Sequence, residues 1–189
     1  MKLSVLIRAL SNRRIKLFLL LEHLYSQIEN LNAWNDVEIL YEIDNKQITS
    51  GAKANKLLER SCGKYIIFID DDDKVADYYI KELLNAVSSN ADCFAINGFY
   101  SINEGNNIEW RLSKDNKNID IKENGNTVLL RRTNHITAVK REIALNAKFP
   151  DISNREDKDY SDKLILETEY KIEPPMYWYL YSSKNKEYA

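Results

Sequence analysis

Glycine and proline are scarce in this chain of 189 residues, which contains five glycines and three prolines. This scarcity excludes long linkers and low-complexity segments, and no internal repeat is visible. Two cysteines, Cys62 and Cys93, are too few for a disulfide scaffold. We expect both to be buried thiols, in a reducing, cytoplasmic compartment. No signal peptide or glycosylation sequon is found, and the apolar run of residues 17–21 ends at Glu22, too soon for a membrane span.

Motifs for several common kinds of site are also missing. The sequence has no Walker lysine loop, no GxGxxG and no His/Cys cluster with zinc spacing. The net charge is −2, so no overall basic field attracts DNA, RNA or an anionic membrane. Apolar residues make up 44% and charged residues 30% of the chain. This balance and this length are typical of a single domain with a sizeable core.

One acidic cluster stands apart from this ordinary background. Residues 65–69, Tyr-Ile-Ile-Phe-Ile, form a short apolar run that predicts a buried strand. Four aspartates follow it directly: Asp70, Asp71, Asp72 and Asp73. Side chains alternate along an extended chain. The first and third aspartates are therefore expected on one side, and the second and fourth on the other.

Such a cluster carries an electrostatic cost. Two unit charges 4 Å apart repel by roughly 1 kcal/mol in water and by about 4 kcal/mol near a protein surface. A bound cation, or protonation of some carboxylates, relieves this repulsion. Ligands of open α/β sheets bind at the carboxyl ends of the strands. We therefore interpret residues 66–74 as a site for a divalent metal and a phosphate; the alternative is a solvated acidic turn.

Strands and helices alternate in the first half. Strands are predicted at residues 3–7, 37–43, 65–69 and 92–97. The first helix is predicted from an apolar stripe at helical spacing: Leu17, Leu20, Leu21, Leu24, Ile28 and Leu31. A second helix is expected to open at Gly51, to bury Leu57 and Leu58 and to stop at Gly63, and a third to bury Ile80, Leu83, Leu84 and Val87. This order predicts parallel strands joined by right-handed crossovers, with residues 8–12, 44–45 and 70–73 meeting at one edge.

Shorter elements are predicted after residue 97. Hairpin strands are expected at residues 99–102, 108–112 and 127–130, separated by Asn-rich turns at residues 103–107, 114–118 and 124–126. A strand at residues 135–139, helices at residues 141–147 and 155–167, and an aromatic strand at residues 177–181 complete the prediction. Residues 184–189 are expected to be a frayed tail.

Four stretches resemble the family 2 type of GT-A-fold glycosyltransferases: residues 3–14, 38–45, 51–73 and 149–164. The first resembles the family's opening strand and loop, and the second resembles the strand whose closing acid meets the uracil or the ribose. The third resembles the helix with an Arg-Asn pair followed by the D-x-D strand. The fourth, with Arg-Glu-Asp-Lys-Asp, resembles the late Glu-Asp motif that carries the base.

The resemblance implies a fold and different functions for its two halves. It implies an α/β fold of the GT-A, Rossmann-like kind, with a mostly parallel sheet flanked by helices and a small antiparallel addition in the second half. Residues 1–189 then form one domain. Within it, residues 1–98 are the nucleotide-sugar-binding half, and residues 99–189 hold the acceptor region and the base.

The chain also departs from the family pattern. Ala54 stands before Asn55 where the family has arginine, and Lys53 lies one place earlier. A lysine holds a phosphate as a point charge but lacks the guanidinium fork. The first loop lacks the usual proline and aromatic residue. The chain is short for the family, which implies a minimal acceptor region of the kind expected in a phage-like member.

The resemblance further implies metal-dependent transfer of a sugar from a nucleotide-diphospho-sugar, with UDP-sugar the favoured donor, to an acceptor hydroxyl of a glycan, with inversion. Mg²⁺ or Mn²⁺ neutralises the departing diphosphate as a Lewis acid. The metal ligands are Asp72, then Asp70, with His135 either a third ligand or a structural histidine. The residues assigned to donor binding are Asp44, Lys53, Asn55, Asp70, Asp71 and Arg13. The alternatives are a turn-forming role for Asp44 and solvated helix positions for Lys53, Asn55 and Arg13.

Asp157 is the candidate general base, which takes the proton of the acceptor hydroxyl. Acids at a helix start are also favoured by the helix dipole alone, so Glu156, Asp157 and Asp159 have a purely structural alternative. Two tryptophans, Trp110 and Trp178, and the aromatic residues of 177–181 offer faces for stacking a sugar, although packing explains most of them.

Two other classes of protein match part of the sequence. Asp71-x-Asp73-x-Val75 resembles the first motif of haloacid-dehalogenase-type phosphatases, although that family places the motif on its first strand and not on its third. A non-catalytic module that binds a metal or a nucleotide sugar is the other alternative, favoured by Ala54 and by the short length. A DNA-modifying glycosyltransferase stays possible within the favoured class, but the near-neutral charge gives it no support.

Overall fold

The computed structural model describes residues 1–102, 105 and 107–181. The strands are β1 (Leu3–Leu10), β2 (Val37–Asp44), β3 (Tyr65–Asp70), β4 (Lys74–Val75), β5 (Cys93–Ile102), β6 (Asn107–Ser113), β7 (Ile119–Glu123), β8 (Asn126–Arg132), β9 (Ala138–Lys140) and β10 (Glu169–Tyr181). The α-helices are α1 (Arg14–Asn30), α2 (Ser50–Arg60), α3 (Tyr79–Ala86), α4 (Arg141–Ala147) and α5 (Glu156–Lys163). The predicted tail at residues 184–189 and most of the predicted turn at residues 103–107 lie outside the described residues.

Three parallel strands form one end of the sheet, in the order β2-β1-β3. Their register places Arg8 opposite Asp70 and Leu10 opposite Asp44. The carboxyl ends of all three strands therefore meet at one edge, as the sequence predicts. The α/β class and the helix-flanked sheet are confirmed.

Both faces of this sheet are covered, because the strand residues alternate between two apolar clusters. Val5, Ile7 and Ile67 pack on one face with the predicted stripe of α1 and with Ile80 and Leu83 of α3. Leu6, Ile66 and Phe68 pack on the other face with α2, α4 and α5. Leu31 is the exception in the stripe, because α1 ends at Asn30 and leaves this side chain exposed.

The sheet does not continue directly from β3 to β5. The three-residue strand β9 lies between them, antiparallel to both. β5 runs past residue 97 to Ile102, so the predicted strand at residues 99–102 is its continuation. On its other side, β5 pairs with β10 in parallel, and β10 also pairs with β4. This arrangement brings the last described strand back to the end of β3.

Several boundaries differ from the prediction. Helix α2 ends at Arg60, and Gly63 instead lies against the backbone of Ser4, where a Cβ atom would meet the Ser4 nitrogen at 2.5 Å. The strand β7 was not predicted, α5 is shorter than residues 155–167, and β10 is longer than residues 177–181. Cys93 is a buried free thiol, but the free thiol of Cys62 is exposed, contrary to expectation.

In the part of the chain that the structure describes, no helix is both long and apolar enough to cross a membrane.

Candidate active site

A buried arginine lies at the centre of the strand edge. Arg8, near the end of β1, has a side chain that is only 7% exposed. Its Nη1 donates to Asp157 Oδ1 at 2.9 Å and to Glu156 Oε1 at 3.3 Å, and its Nη2 donates to Asp70 Oδ1 at 3.3 Å. Burial alone would lower the pKa of Arg8, but the charges of Asp157 and Asp70 raise it above its usual value. The group is therefore a fixed cation among carboxylates.

Two adjacent aromatic rings pack against the guanidinium of Arg8 from one side. The rings of Phe68 and Phe149 each have their centroid 5.7 Å from the Arg8 Cζ atom. Phe149 stacks on Tyr160 of α5 with ring centroids 3.9 Å apart. Asn55 fixes the Phe149 backbone, because its side-chain amide donates to the carbonyl and accepts from the N–H of that residue. The amide of Asn55 thus serves the packing around Arg8.

The start of α2 lies unusually close to the segment that follows Phe149. The backbone N–H of Gly51 donates to the carbonyl of Ile152 at 3.0 Å. A Cβ atom on Gly51 would stand 1.8 Å from the carbonyl oxygen of Pro150. Only glycine permits this approach, which brings the beginning of α5 to the edge where β1 and β3 end.

His135 connects the same carboxylates from the other side. Its Nε2 lies 3.3 Å from Asp70 Oδ2, and its Nδ1 lies 3.6 Å from Asp157 Oδ2. Burial would lower the pKa of His135, but the charges of Asp157 and Asp70 raise it. Burial would likewise raise the pKa of Asp70, but His135 and Arg8 hold it well below its usual range. His135 was predicted to begin a strand at residues 135–139, but β9 begins only at Ala138, so His135 precedes the strand.

A second arginine meets the next two aspartates. Arg13 Nη1 lies 3.0 Å from Asp71 Oδ1 and 3.0 Å from Asp72 Oδ2. The backbone N–H of Leu10 also donates to Asp71 at 3.0 Å. Because the chain turns after Asp70, these two neighbouring carboxylates face the same cation, and the predicted alternation of the four aspartates is wrong. Burial and the charges of Asp71 and Asp70 raise the pKa of Asp72, although Arg13 opposes this.

The acid that ends β2 has a lysine partner. Lys53 of α2 contacts the carboxylate of Asp44 and donates to the Ala9 carbonyl at 2.8 Å. Asp44 also accepts from the backbone N–H of Ile48 at 3.0 Å. Burial would raise the pKa of Asp44, but the hydrogen bonds from Lys53 and Ile48 lower it. Lys53 and Asp44 therefore form one unit beside the ends of β1 and β2.

The fourth aspartate anchors the late strand. Asp73 is buried, accepts from the Tyr177 hydroxyl at 2.7 Å and accepts from the Leu180 N–H at 2.8 Å. Burial and the charge of Asp70 raise the pKa of Asp73 to about 8. The Tyr177 hydroxyl also accepts from the backbone N–H of Asp70 at 3.3 Å. Tyr177 and Asp73 thus link β10 to the end of β3.

The aromatic side chains offered for sugar stacking are mostly engaged in packing. Trp110 is buried edge-on to Tyr177, and Trp178 lies beside Phe99. Tyr179 stacks on Tyr100 with ring centroids 5.4 Å apart, and it is partly exposed.

The donor set at the edge limits how a metal could be held. Within the described residues, no group of three or more His, Cys, Asp or Glu side chains is arranged to hold a metal ion. Mg²⁺ and Mn²⁺ at phosphate sites need only one or two protein carboxylates, with phosphate oxygens and water as the other ligands. Burial and the neighbouring carboxylates raise the pKa of Asp72, and a bound cation would favour its ionised form. The residues therefore fit a metal shared with a phosphate.

The helix-flanked sheet, with its acids at the carboxyl ends of parallel strands, defines a protein of the GT-A class. Residues 24–146, more than half of the chain, match the family model described as Glycosyl transferase family 2, and the chain belongs to this family. No curated protein matches the chain. The family match ends before α5, so the part played by Asp157 stays a prediction.

Solved structures of the S. aureus protein TarS are similar in fold. The TarS 1–349 structure in complex with UDP-GlcNAc superposes with a TM-score of 0.66 at 12% identity, over 96% of this chain and 59% of that chain. The TarS 1–349 structure in complex with UDP superposes with a TM-score of 0.65 at 12% identity, over 98% of this chain and 62% of that chain. At this identity the likeness concerns the fold alone. The chain spans less than two thirds of the TarS structures that it matches.

Arg8 and Glu156 are the site residues that the sequence reading missed. The predicted first strand stops at Ile7, which leaves Arg8 in a loop, whereas β1 continues to Leu10. The signal was present, because an arginine inside the apolar run Leu-Ser-Val-Leu-Ile-Arg-Ala-Leu needs a buried counter-charge. Glu156 is a buried partner of this arginine, and not only a favourable charge at a helix start.

Proposed function

We propose that this protein transfers a sugar from a nucleotide-diphospho-sugar, with UDP-sugar the favoured donor, to an acceptor hydroxyl with inversion at the sugar. One observation carries the proposal. Arg8 binds both Asp70, at the end of the proposed donor strand, and Asp157, in the late motif. Two carboxylates that are distant in the sequence thus meet at the strand edge where ligands of α/β sheets bind.

The donor side of the site is assigned by charge and position. Asp44, backed by Lys53, offers a carboxylate to the N–H of uracil or to a ribose hydroxyl, because an ionised carboxylate only accepts hydrogen bonds. Arg13 is partly exposed and can turn from its carboxylates to the diphosphate. Asp71 lies beside it, within the same subsite.

Asp72, with Asp70 beside it, would hold Mg²⁺ or Mn²⁺ together with the two phosphates. The metal, when bound, would neutralise the charge that builds on the departing diphosphate. His135 is assigned to orienting Asp70 and Asp157, because both of its ring nitrogens face these carboxylates. This contact favours the structural alternative for the histidine over direct ligation.

Asp157 is the proposed base. Its side chain is 33% exposed, so the carboxylate stays accessible at the strand edge although Arg8 contacts it. The carboxylate takes the proton of the acceptor hydroxyl as the hydroxyl oxygen attacks the sugar carbon from the face opposite the diphosphate. The new bond forms to that carbon while its bond to the diphosphate breaks, which inverts the configuration. A glycan hydroxyl is the proposed acceptor.

The phosphatase alternative gains no support from the geometry. Its nucleophile would be Asp71, whose two carboxylate oxygens accept from the Leu10 N–H and from Arg13. The second aspartate of that motif, Asp73, is buried against Tyr177. Neither carboxylate is presented to a phosphate ester.

A thermal-shift panel tests the proposed function. Nucleoside diphosphates and nucleotide sugars are added with and without Mn²⁺, because a ligand that binds only the folded state raises the melting temperature. We expect UDP and UDP-sugars to stabilise the protein, and to do so more strongly with Mn²⁺. The absence of stabilisation by every nucleotide would contradict the proposal. Stabilisation by UDP-sugars without any hydrolysis or transfer would favour the non-catalytic binding module.

A further inference from the structure

We infer that Arg8 is a positioning residue that sets the orientation of the Asp157 carboxylate relative to Asp70. The inference rests on the proposed function, in which Asp157 is the base. Arg8 Nη1 and Nη2 lie 2.9 Å and 3.4 Å from the two carboxylate oxygens of Asp157, and Nη2 lies 3.3 Å from Asp70. One planar group therefore contacts both the donor-side acid and the base.

The geometry of this contact requires a guanidinium. The fork of Arg8 meets both oxygens of Asp157, so it fixes the plane of the carboxylate as well as its position. The same Nη1 also lies 3.1 Å from the Ser50 hydroxyl at the start of α2. A lysine ammonium supplies the charge but has no planar fork, so it cannot define the plane of the carboxylate.

The surroundings keep the guanidinium in place. Phe68 and Phe149 pack edge to face with ring centroids 5.2 Å apart, so both lie on one side of the guanidinium, each 5.7 Å from the Arg8 Cζ atom, and Phe149 is itself fixed by the amide of Asn55. Because the side chain is 7% exposed, Arg8 has no room to swing toward solvent. The orientation of Asp157 is therefore set by a group that is itself rigid.

The backbone at the start of α5 has an unusual conformation. Arg155, which precedes the helix, has a φ of +71°, a left-handed conformation that an arginine rarely adopts, and its side chain forms no cap. Such a conformation persists only where the surroundings fix it. The bonds from Arg8 to Glu156 and Asp157, the first two residues of α5, are contacts of this kind.

Two variants test the inference. Arg8→Lys keeps the charge, and Arg8→Ala leaves a space lined by the two rings and the carboxylates. We expect Arg8→Lys to lower kcat by roughly 100-fold, the scale of a misplaced reacting group, with the donor KM nearly unchanged. We expect guanidinium ion, added at millimolar concentration, to restore part of the turnover of Arg8→Ala while leaving the wild-type protein unaffected. Ammonium ion should restore none.

Arg111→Lys is the matched control. Arg111 also forms a forked ion pair, with Glu123 at 2.9 and 3.1 Å, but it lies on β6, away from the strand edge. Its replacement should leave kcat and KM unchanged. Wild-type kcat in Arg8→Lys would overturn the inference, as would an equal loss in Arg111→Lys.

A crystal structure of Arg8→Lys separates this inference from the proposed function. A carboxylate of Asp157 that is rotated away from Asp70, with β3 unchanged, supports positioning even if the wild-type protein transfers no sugar, in which case only the proposed function fails. An Asp157 side chain in the wild-type orientation overturns the positioning role, whatever the turnover. If Arg8→Ala does not fold, the kcat and the crystal structure of Arg8→Lys still test the inference.

Discussion

Two arginines from one short segment meet the same row of aspartates in different ways. Arg8 is 7% exposed, packs against two aromatic rings and contacts Asp70, Glu156 and Asp157. Arg13 is 30% exposed and contacts Asp71 and Asp72 at 3.0 Å each. We call the first group the inner cluster and the second the outer cluster.

The difference lies in whether a ligand can replace the cation. A buried arginine cannot leave its partners without a large loss of free energy, whereas an arginine that is partly exposed, such as Arg13, is already partly hydrated and loses less when it moves away. The inner cluster is therefore suited to holding carboxylates in a fixed geometry. In the outer cluster, Arg13 can move to bind a diphosphate, and Asp72 can then bind a metal.

Replacement of the proposed base should give the largest loss of activity. This loss would assign the catalytic base to the inner cluster. Asp157→Asn is expected to lower the transfer rate by roughly 1000-fold, within the range for general base catalysis, while UDP affinity stays unchanged. Steady-state kinetics and calorimetry with UDP and Mn²⁺ measure the two quantities. Asp162→Asn, an exposed acid of the same helix that pairs with Lys158, is the control. Equal turnover in Asp157→Asn and Asp162→Asn would remove the base assignment.

Replacement of each arginine by methionine compares the stability of the two clusters. Arg8→Met leaves buried carboxylates without their cation, and we expect it to lower the free energy of unfolding by about 3 to 5 kcal/mol. Arg13→Met should lower it less, by about 1 to 3 kcal/mol, because Arg13 is 30% exposed, although its partner Asp71 is only 3% exposed and keeps its hydrogen bond from the Leu10 N–H. Urea unfolding at pH 7 gives both values. Equal losses in the two variants would show that the clusters do not differ in the way described.

Asp72→Asn tests the outer cluster as a metal and diphosphate site. The substitution keeps the shape of the side chain but removes the charge, and we expect it to abolish the part of the UDP affinity that depends on Mn²⁺, a loss of tenfold or more, or about 1.4 kcal/mol. Calorimetry with UDP, with and without Mn²⁺, provides the measurement. Asp77→Asn is the matched control, because that side chain is 98% exposed. Unchanged affinity in Asp72→Asn would defeat the metal assignment.

The outer cluster was easier to predict from the sequence than the inner one. Four consecutive aspartates after an apolar run are a local pattern, and the strand that ends in them was predicted almost to the residue. The inner cluster joins Arg8, Asp70 and Asp157 from three distant segments. The resemblance supplied two of these residues, but nothing local indicated that β1 continues through Arg8 to Leu10.

The second half of the chain was harder to predict for related reasons. β9 has three residues and takes its place through non-local pairing with β3 and β5, so hydrophobic periodicity carries little signal. In β10, Pro174 and Pro175 argue against a strand, yet the pairing with β5 continues through a register shift there. By contrast, α4 was predicted with its correct boundaries, residues 141–147.

A third ion pair, at the opposite edge of the sheet, serves as the reference for both clusters. Its disruption should have the smallest effect on stability and none on turnover. Asp92, just before β5, lies 2.9 Å from Lys140 and accepts from the backbone N–H groups of Glu167 and Thr168. Burial would raise the pKa of Asp92, but these hydrogen bonds lower it to about 2. Asp92→Asn is expected to cost about 1 kcal/mol at pH 7 and to leave turnover unchanged.

The pH dependence of this cost follows from the lowered pKa. The carboxylate of Asp92 stays ionised in the folded protein down to about pH 2, whereas in the unfolded chain it takes a proton near pH 4. Its contribution is therefore complete above about pH 4 and is lost as the pH falls toward 2. The difference in unfolding free energy between wild type and Asp92→Asn should shrink across this interval in urea titrations. A difference that is constant with pH, or a loss of turnover, would show that Asp92 is not a purely structural reference for the two arginine clusters.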